Sequence, residues 1–202
     1  MAMTSKVTEL TDPGFETDTL RFKLLAEDDK DTIIQSGAIR AMWDWLPALP
    51  GKGTSFDAYH AHTMAERKAG QFFPFVIFHK RDDSLVGGMC FLNPSRTHRR
   101  VTIGYLWIMP EHRGSGMFEM IQTGIIRRAY DWRAKRIVWP ADTQNKPLIT
   151  ALERMGVPRE GVLRSFERLN TGRWSDVAIY AAVREEIPTI LSQLEQQRAL
   201  AD

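Results

Sequence analysis

The chain has 202 residues, of which 43% are apolar, and a formal net charge of +2 at pH 7. This length suits one domain with a sizeable core and falls short of two full-size domains. Because the charge is small and both signs are spread along the whole chain, a strongly cationic binder of nucleic acid or membranes is not the default expectation.

The single cysteine, Cys90, excludes an internal disulfide framework and favours a reducing compartment. Within "GGMCFL" we interpret it as a small buried apolar residue, because no base or positive charge lies nearby to activate a thiol. No run approaches the ~20 apolar residues of a membrane span, and residues 1–18 lack the apolar centre of a signal peptide. We therefore expect a cytoplasmic protein with no membrane partner.

The first third of the chain predicts an arm, a strand and two helices. Residues 1–18 show neither helical nor strand periodicity and are expected to form a flexible arm. In "TLRFKLL", polar and apolar residues alternate as in a half-buried strand, with Leu20, Phe22 and Leu24 on one side. The first helix is predicted from the helical spacing of Ile34, Ala38, Ala41 and Trp45. It ends at Pro47 and Pro50, because proline interrupts a helix. A second helix is predicted from a cap at Thr54 or Ser55 to Gly70, presenting Phe56, Tyr59 and Thr63 or Met64.

From Phe72 the pattern changes to strands. The runs "FFPFVIFHK", "LVGGMCFLN" and "RRVTIGYLWIMP" are rich in β-branched and aromatic residues and are separated by short polar turns. They predict a three-stranded antiparallel meander.

The second half predicts a helix, a strand, a helix, a hairpin and a final helix. Met117–Trp132 carries an apolar stripe at helical spacing, formed by Phe118, Ile121, Ile125, Ala129 and Trp132. "KRIVWP" reads as a short strand, and "NKPLITALERMG" as a helix with Pro147 in its first turn and Gly156 at its exit. The element order predicts one α+β (mixed α/β) domain at 19–185, around a largely antiparallel sheet, and a C-terminal helix at 186–202.

The stretch "PEHRGSGMF", residues 110–118, lies between the third meander strand and the following helix. Amides at the start of a helix have no internal partner and carry partial positive charge, so a glycine loop in this context can bind a phosphate group. The dinucleotide-binding fingerprint is excluded because Glu119 stands where its third glycine belongs, and the Gly-Lys-Ser/Thr of a phosphate-binding P-loop is absent.

Arg113-x-x-Gly116-x-Phe118, preceded by Ile108-Met109-Pro110, resembles the acetyl-CoA loop of the GNAT (GCN5-related N-acetyltransferase) superfamily. Other landmarks, in the same order, resemble its ribosomal-protein-type (RimJ/RimL-like) N-acetyltransferases. They are "WDWLPALP", "IGYLWIMPEHRGSGMF", Asn145 after "WPADTQ", "LERMG", "EGVLRS" and "GRWSD". Together they cover about residues 20–185.

The resemblance implies a twisted, largely antiparallel sheet that splays after the strand Tyr105–Met109, with acetyl-CoA bound in the opening. It implies backbone contacts to acetyl-CoA from Ile108 and Met109 and a polar contact from Asn145. The implied pyrophosphate loop consists of Arg113, Gly114, Ser115, Gly116 and Met117. It places an acceptor groove at Trp43 and Trp45, implies a small-molecule or peptide amine as acceptor, and is compatible with a homodimer.

The acid and base positions of the resembled family are not preserved. Thr102 stands where a glutamate often precedes "IGY", and Leu148 and Leu152 stand where a serine or tyrosine often protonates the leaving thiolate. His112, Asp142 and Glu111 are candidate proton acceptors by location alone, so the catalytic residue stays unassigned. The same departures leave open a non-catalytic acyl-CoA-binding or protein-interaction module with the same fold.

Two further patterns, a basic stretch and a pair of histidines, are weaker candidates for a functional site. "RRAYDWRAKR" interleaves basic and aromatic residues as single-strand nucleic-acid binders do, but Trp132 falls on the apolar stripe, so a solvated helix face is favoured and no nucleic-acid partner is expected. His60 and His62 are two residues apart on a predicted helix and do not share a face. We predict no metal site.

Overall fold

One eight-stranded sheet organises the part of the chain that this computed structural model describes, residues 9–10, 14–36, 43–49 and 55–199. Its strands are β1 (Gly14–Glu16), β2 (Leu20–Leu24), β3 (Phe72–His79), β4 (Leu85–Ser95), β5 (Arg100–Ile108), β6 (Arg136–Asp142), β7 (Arg159–Arg168) and β8 (Trp174–Val183). The described helices are α1 (Asp29–Gln35), α2 (Phe56–Lys68), α3 (Met117–Asp131), α4 (Lys146–Arg154) and α5 (Ile187–Ala199). Short 3-10 turns cover Trp43–Trp45 and Pro110–His112. The predicted α+β class is confirmed.

The spatial order of the strands is β1-β2-β3-β4-β5-β6-β8-β7. Of the neighbouring pairs, β5 and β6 run parallel and the others antiparallel. The predicted meander is β3 to β5, and the predicted hairpin is β7 with β8. The expectation that no strand precedes residue 19 was wrong for Gly14–Glu16, which pair with β2. Three residues are too few to show strand alternation, so only the tertiary pairing reveals β1.

The first helix begins earlier than the apolar spacing predicts. α1 starts at Asp29, whose carboxylate accepts a hydrogen bond from the amide of Ala26 and one from Lys23 Nζ. An acidic side chain is stabilising at a helix N-terminus. Ile33 is buried and Ile34 is exposed, so the predicted face was displaced by one residue. Ala38 and Ala41, also assigned to that helix, lie outside the described residues.

The apolar faces of the other helices are buried as predicted. In α2, Ser55 Oγ caps the amide of Ala58, and Tyr59 and Met64 pack inward. α3 and the residue that follows it bury Ile121, Ile125, Ala129 and Trp132. α5 buries Ile187, Ile190 and Leu194 in the same core cluster. The stripe of the C-terminal helix therefore packs on its own domain.

Two arginines of the basic stretch 127–136 pair with carboxylates of their own chain. Arg127 forms a salt bridge with Glu195, and Arg136 forms one with Glu160. Trp132 is fully buried, and Arg99 lies over its ring at 5.3 Å. This tryptophan is therefore a core residue and offers no stacking face to a nucleotide base.

Three predictions concern the whole chain and can be compared with its described part. No helix there combines the length and the apolarity needed to cross a membrane. No group of three or more His, Cys, Asp or Glu side chains within these residues could hold a metal ion. Cys90 is buried, and burial raises the pKa of its thiol well above its ordinary value, so the thiolate form is disfavoured.

The only described parallel pair of strands creates an opening in the sheet. β5 and β6 pair over three positions, from Arg100 opposite Arg136 to Thr102 opposite Val138, although β5 continues to Ile108. Tyr105 has a φ of +51°, and the register with β4 shifts there, which is a β-bulge that bends β5. Beyond Thr102 the β6-facing edge of β5 is therefore unpaired among the described strands.

Candidate functional site

The loop from β5 to α3 is held in one conformation by its own hydrogen bonds. The amide of His112 donates to the carbonyl of Met109, the amide of Arg113 to that of Pro110, and Ser115 Oγ to that of His112 at 2.8 Å. Gly114 and Gly116 have φ values of +75° and +73°, a region that strains any residue with a Cβ. The two glycines are thus required by the backbone path.

Six consecutive amides at the start of α3, from Gly114 to Glu119, donate to no acceptor in the described part of the chain. The first helical bond runs from the amide of Met120 to the carbonyl of Gly116, and no side chain caps the helix. Phe118 packs against the core and leaves its amide in this row. Unpaired amides and the partial positive charge of a helix end are the features by which proteins bind anions. The amide of Arg113, which the sequence assigned to this row, is bonded to Pro110 and does not contribute.

At the open edge of β5, the backbone groups that point into the gap belong to Ile108 and not to Met109. The amide of Met109 donates to the carbonyl of Val86 at 2.8 Å, and its carbonyl accepts from His112. Because successive residues of a strand direct their backbone groups to opposite sides, those of Ile108 point toward the gap between β5 and β6. The carbonyl of Ile108 accepts from Arg113 Nε at 3.1 Å, which leaves its N–H as the donor at this edge.

The opposite wall of the gap is formed by the end of β6 and the start of α4. Asn145 is the N-cap of α4, and its Oδ1 accepts from the amide of Leu148. Leu148 is half-buried against the core and Leu152 is fully buried. The positions where the resembled family carries a hydroxyl are thus filled by packed aliphatic side chains.

Asp142, at the end of β6, is held by several donors at once. Its carboxylate accepts from Ser175 Oγ at 2.7 Å, from the amide of Gln144 at 2.7 Å and from Arg173 at 2.5 Å. Burial by itself would raise the pKa of Asp142, but these hydrogen bonds outweigh it and lower the pKa below its ordinary value. A carboxylate that is bonded in this way is a weak base and a structural anchor. His112 and Glu111 lie in the 3-10 turn before the loop, where Glu111 is exposed.

We expect Asp142→Asn to destabilise the domain by about 1 to 3 kcal/mol, because donors around a buried carboxylate lose their charged acceptor. The lowered pKa means that this contribution is present above the unfolded pKa of 3.8 and is lost as the pH falls through the folded value. Urea unfolding at pH 7 and at pH 3 measures both effects, with the exposed Asp18→Asn as control. An unchanged free energy of unfolding at pH 7 would contradict this assignment.

A cavity of about 60 Å³ lies between α1, α2 and strands β3 to β5. Its walls are mainly apolar and aromatic and include Phe56, Tyr105 and Trp107. Tyr59 and Tyr105 pack edge to face with ring centroids 5.6 Å apart. Burial raises the pKa of both tyrosines, so both stay neutral.

Trp43 and Trp45, predicted to line an acceptor groove, lie in the segment that reaches this cavity. Trp45 is 39% exposed, and the neighbouring Leu46 lines the cavity instead. Trp43 lies in the same 3-10 turn, and its side chain lies outside the described part of the structure. The cavity therefore takes its aromatic walls from β3, β5 and α2, with Leu46 as the contribution of this segment.

Glu167, near the end of β7, is a candidate that sequence reasoning missed. Burial raises its pKa, and the negative charge of Asp142 raises it further. Its charge also contributes to the raised pKa values of Tyr59 and Tyr105, after their burial, so it lies near the cavity wall. A half-buried carboxylate with a raised pKa is a common form of general base.

The end of β7 is fixed to the cavity wall by backbone bonds. The amide of Ala48 donates to the carbonyl of Arg168 at 2.7 Å, and that of Asn170 to the carbonyl of Leu46 at 3.0 Å. Ser165 has a φ of +48°, where the register with β8 shifts before Glu167. Such a bulge changes which residues of a strand face inward, and strand alternation in the sequence does not reveal it.

Comparison with known proteins identifies a family and a fold. A family model described as the acetyltransferase (GNAT) domain matches residues 19–157. Mycobacterium smegmatis RimJ in complex with CoA-disulfide has 20% identity and a TM-score of 0.75, covering 93% of this chain and 95% of that one. The Vibrio cholerae spermidine N-acetyltransferase in complex with CoA and spermine has 20% identity and a TM-score of 0.69, covering 85% and 99%. At these identities the structures show a common fold, and no curated protein matches the sequence.

Proposed function

Since the chain belongs to the GNAT acetyltransferase family, we propose that it transfers an acetyl group from acetyl-CoA to a primary amine by direct attack in a ternary complex. The observation that carries this proposal is the row of unpaired amides from Gly114 to Glu119 beside the open edge of β5. This arrangement offers an anion site and a strand edge next to each other. Coenzyme A carries a pyrophosphate and an amide-containing arm, so it needs both.

Three groups of described residues would contact acetyl-CoA. The amides of Gly114 to Glu119 would bind the pyrophosphate. The edge of β5 at Ile108 would pair with the pantetheine amides as an added strand does, and Asn145 would make a polar contact from the opposite wall. Bound acetyl-CoA would supply an activated thioester, whose carbonyl carbon the amine attacks.

The protein's own groups would position the reactants and move one proton. The N–H of Ile108 would donate a hydrogen bond to the carbonyl oxygen as negative charge develops on it. Glu167 would accept the proton that the amine loses. Because a thiol has a pKa near 8.5, thiolate is a good leaving group, and aliphatic side chains at Leu148 and Leu152 are compatible with transfer.

We propose that the acceptor is an α-amine, of a peptide N-terminus or of a small molecule. An α-amino group has a pKa of about 8 and an alkyl amine one of about 10. An α-amine therefore supplies more neutral nucleophile near pH 7. The apolar walls of the cavity, lined by Phe56, Tyr105 and Trp107, favour an uncharged substituent over a polycation.

The second candidate function is a non-catalytic acyl-CoA-binding module, favoured by Thr102, Leu148 and Leu152 at the usual acid and base positions. Titration calorimetry with acetyl-CoA and a thiol-release assay over a panel of amines separate the two. The enzyme is expected to bind acetyl-CoA and to release thiol only when a suitable α-amine is present. Binding without release for any amine would favour the module, and no binding at millimolar acetyl-CoA would contradict both.

A further inference from the structure

His60 of α2 is a buried histidine whose Nε2 has no hydrogen-bond partner among the described residues. The side chain is 4% exposed. Its Nδ1 faces Glu27, with 3.7 Å between Nδ1 and the carboxylate oxygen, while its Nε2 is buried and hydrogen-bonds to nothing in the described chain. Buried polar atoms in native proteins nearly always have a partner. An orphaned nitrogen at the wall of a cavity therefore indicates a ligand group that would bond to it.

The surroundings of His60 limit what that group can be. The cavity that it lines is otherwise mostly apolar, with Ile33, Phe56 and Val76 among its walls. Its volume is about 60 Å³, which leaves room for a small side group. A charged group would lose its hydration there without a compensating charge.

The position of the cavity connects it to the proposed reaction. Tyr105 and Trp107, which line it, belong to the strand that ends at Ile108, the proposed contact to the thioester. A substituent that lies in this cavity would thus hold its amine close to the end of β5. The cavity is suited to recognise the group next to the reacting nitrogen.

We infer that this cavity selects acceptors whose amine carries a short, uncharged side group with a hydroxyl, and that His60 Nε2 bonds to that hydroxyl. A hydroxyl can donate and accept, so it satisfies Nε2 in either neutral tautomer of the imidazole. His60 is then a specificity-determining residue. This inference rests on the proposed transfer to an α-amine.

The test compares threonine amide with valine amide as acceptors, because the two differ by a hydroxyl in place of a methyl group. Wild-type protein is expected to prefer threonine amide by about tenfold in kcat/KM. His60→Leu is expected to abolish or reverse that preference, and His60→Gln to retain part of it, because Gln keeps a polar group near Nε2. His62→Leu is the control. His62 lies on the same helix against Phe72, so its loss should leave the ratio unchanged.

The outcomes distinguish this inference from the function on which it rests. Equal rates for the two amides with wild-type protein, or an unchanged ratio in a folded His60→Leu, would overturn the role of His60 while leaving the acetyltransferase intact. Acetylation of neither amide, together with no acetyl-CoA binding, would overturn the proposed function and the inference with it. If His60→Leu does not fold, as judged by circular dichroism, the wild-type ratio and His60→Gln decide.

Discussion

Replacing Ser115 with glutamate is expected to weaken acetyl-CoA binding by about 100-fold. Ser115 is exposed in the middle of the row of unpaired amides, and its hydroxyl bonds only within the loop, to the carbonyl of His112. A carboxylate there would compete for the amides and repel the pyrophosphate. Hydrogen bonds to charged groups contribute about 1.5 to 3 kcal/mol each, so losing one or two of them accounts for this factor.

The matched control is Ser115→Gln, which has the same length and shape without the charge. We expect it to bind acetyl-CoA within about threefold of wild type, since the free energy lost with Glu is electrostatic. Calorimetry measures both variants, and circular dichroism checks that both are folded. Equal losses in Glu and Gln would point to shape instead of charge. Wild-type affinity in Ser115→Glu would mean that the pyrophosphate binds elsewhere.

Glu167→Gln is expected to lower kcat/KM for the amine by about 100- to 1,000-fold at neutral pH, with acetyl-CoA affinity unchanged. The carboxylate is the proposed proton acceptor, and positioned general bases contribute factors of this size. Glutamine keeps the size and polarity of the side chain but cannot accept a proton. Steady-state kinetics with an α-amine acceptor, together with calorimetry for acetyl-CoA, measures the two effects separately.

The pH dependence of this variant follows from the raised pKa of Glu167. A base works in its ionised form, so the wild-type rate should fall as the pH decreases through the folded pKa of Glu167, and the variant should lack that step. The folded state also binds the Glu167 proton more tightly than the unfolded state. Stability is therefore lost as the pH rises from the unfolded pKa, 4.5, through the raised value. Above it, Glu167→Gln should be at least as stable as wild type.

Glu160→Gln is the control, because Glu160 lies on the same strand and pairs with Arg136 on the surface. We expect it to keep the wild-type rate. Loss of activity in Glu167→Gln with a gain or no loss of stability would be the signature of a functional carboxylate. Full activity in this variant would remove Glu167 from the mechanism.

The parts of the fold that depend on local patterns were predictable from sequence. The stripe of Ile121, Ile125, Ala129 and Trp132 predicts α3 because helical spacing and burial agree over about three turns. The runs that form β3, β4 and β5 are long and bounded by polar turns. β1 has three residues, and the displacement of α1 follows from the hydrogen bonds of Asp29, so neither was predictable from apolar spacing.

The candidate site was also predictable from sequence only in part. A strand, a glycine loop and a helix follow one another along the chain, so the row of amides could be anticipated. Whether a given amide is free depends on contacts that are distant in sequence, as between Met109 and Val86. Glu167 follows the register shift at Ser165, and the Nε2 of His60 is buried without a hydrogen-bond partner in the described chain. Neither property can be read from neighbouring residues.

The claim that six free amides and the edge of β5 hold acetyl-CoA is tested most directly by an amide-resolved NMR titration of wild-type protein. We predict that the amides of Gly114 to Glu119 and of Ile108 shift together and saturate with one dissociation constant. We also predict that Ser115→Glu abolishes these shifts at the same acetyl-CoA concentration. Saturable shifts confined to other parts of the molecule, with these seven amides unmoved, would contradict the account.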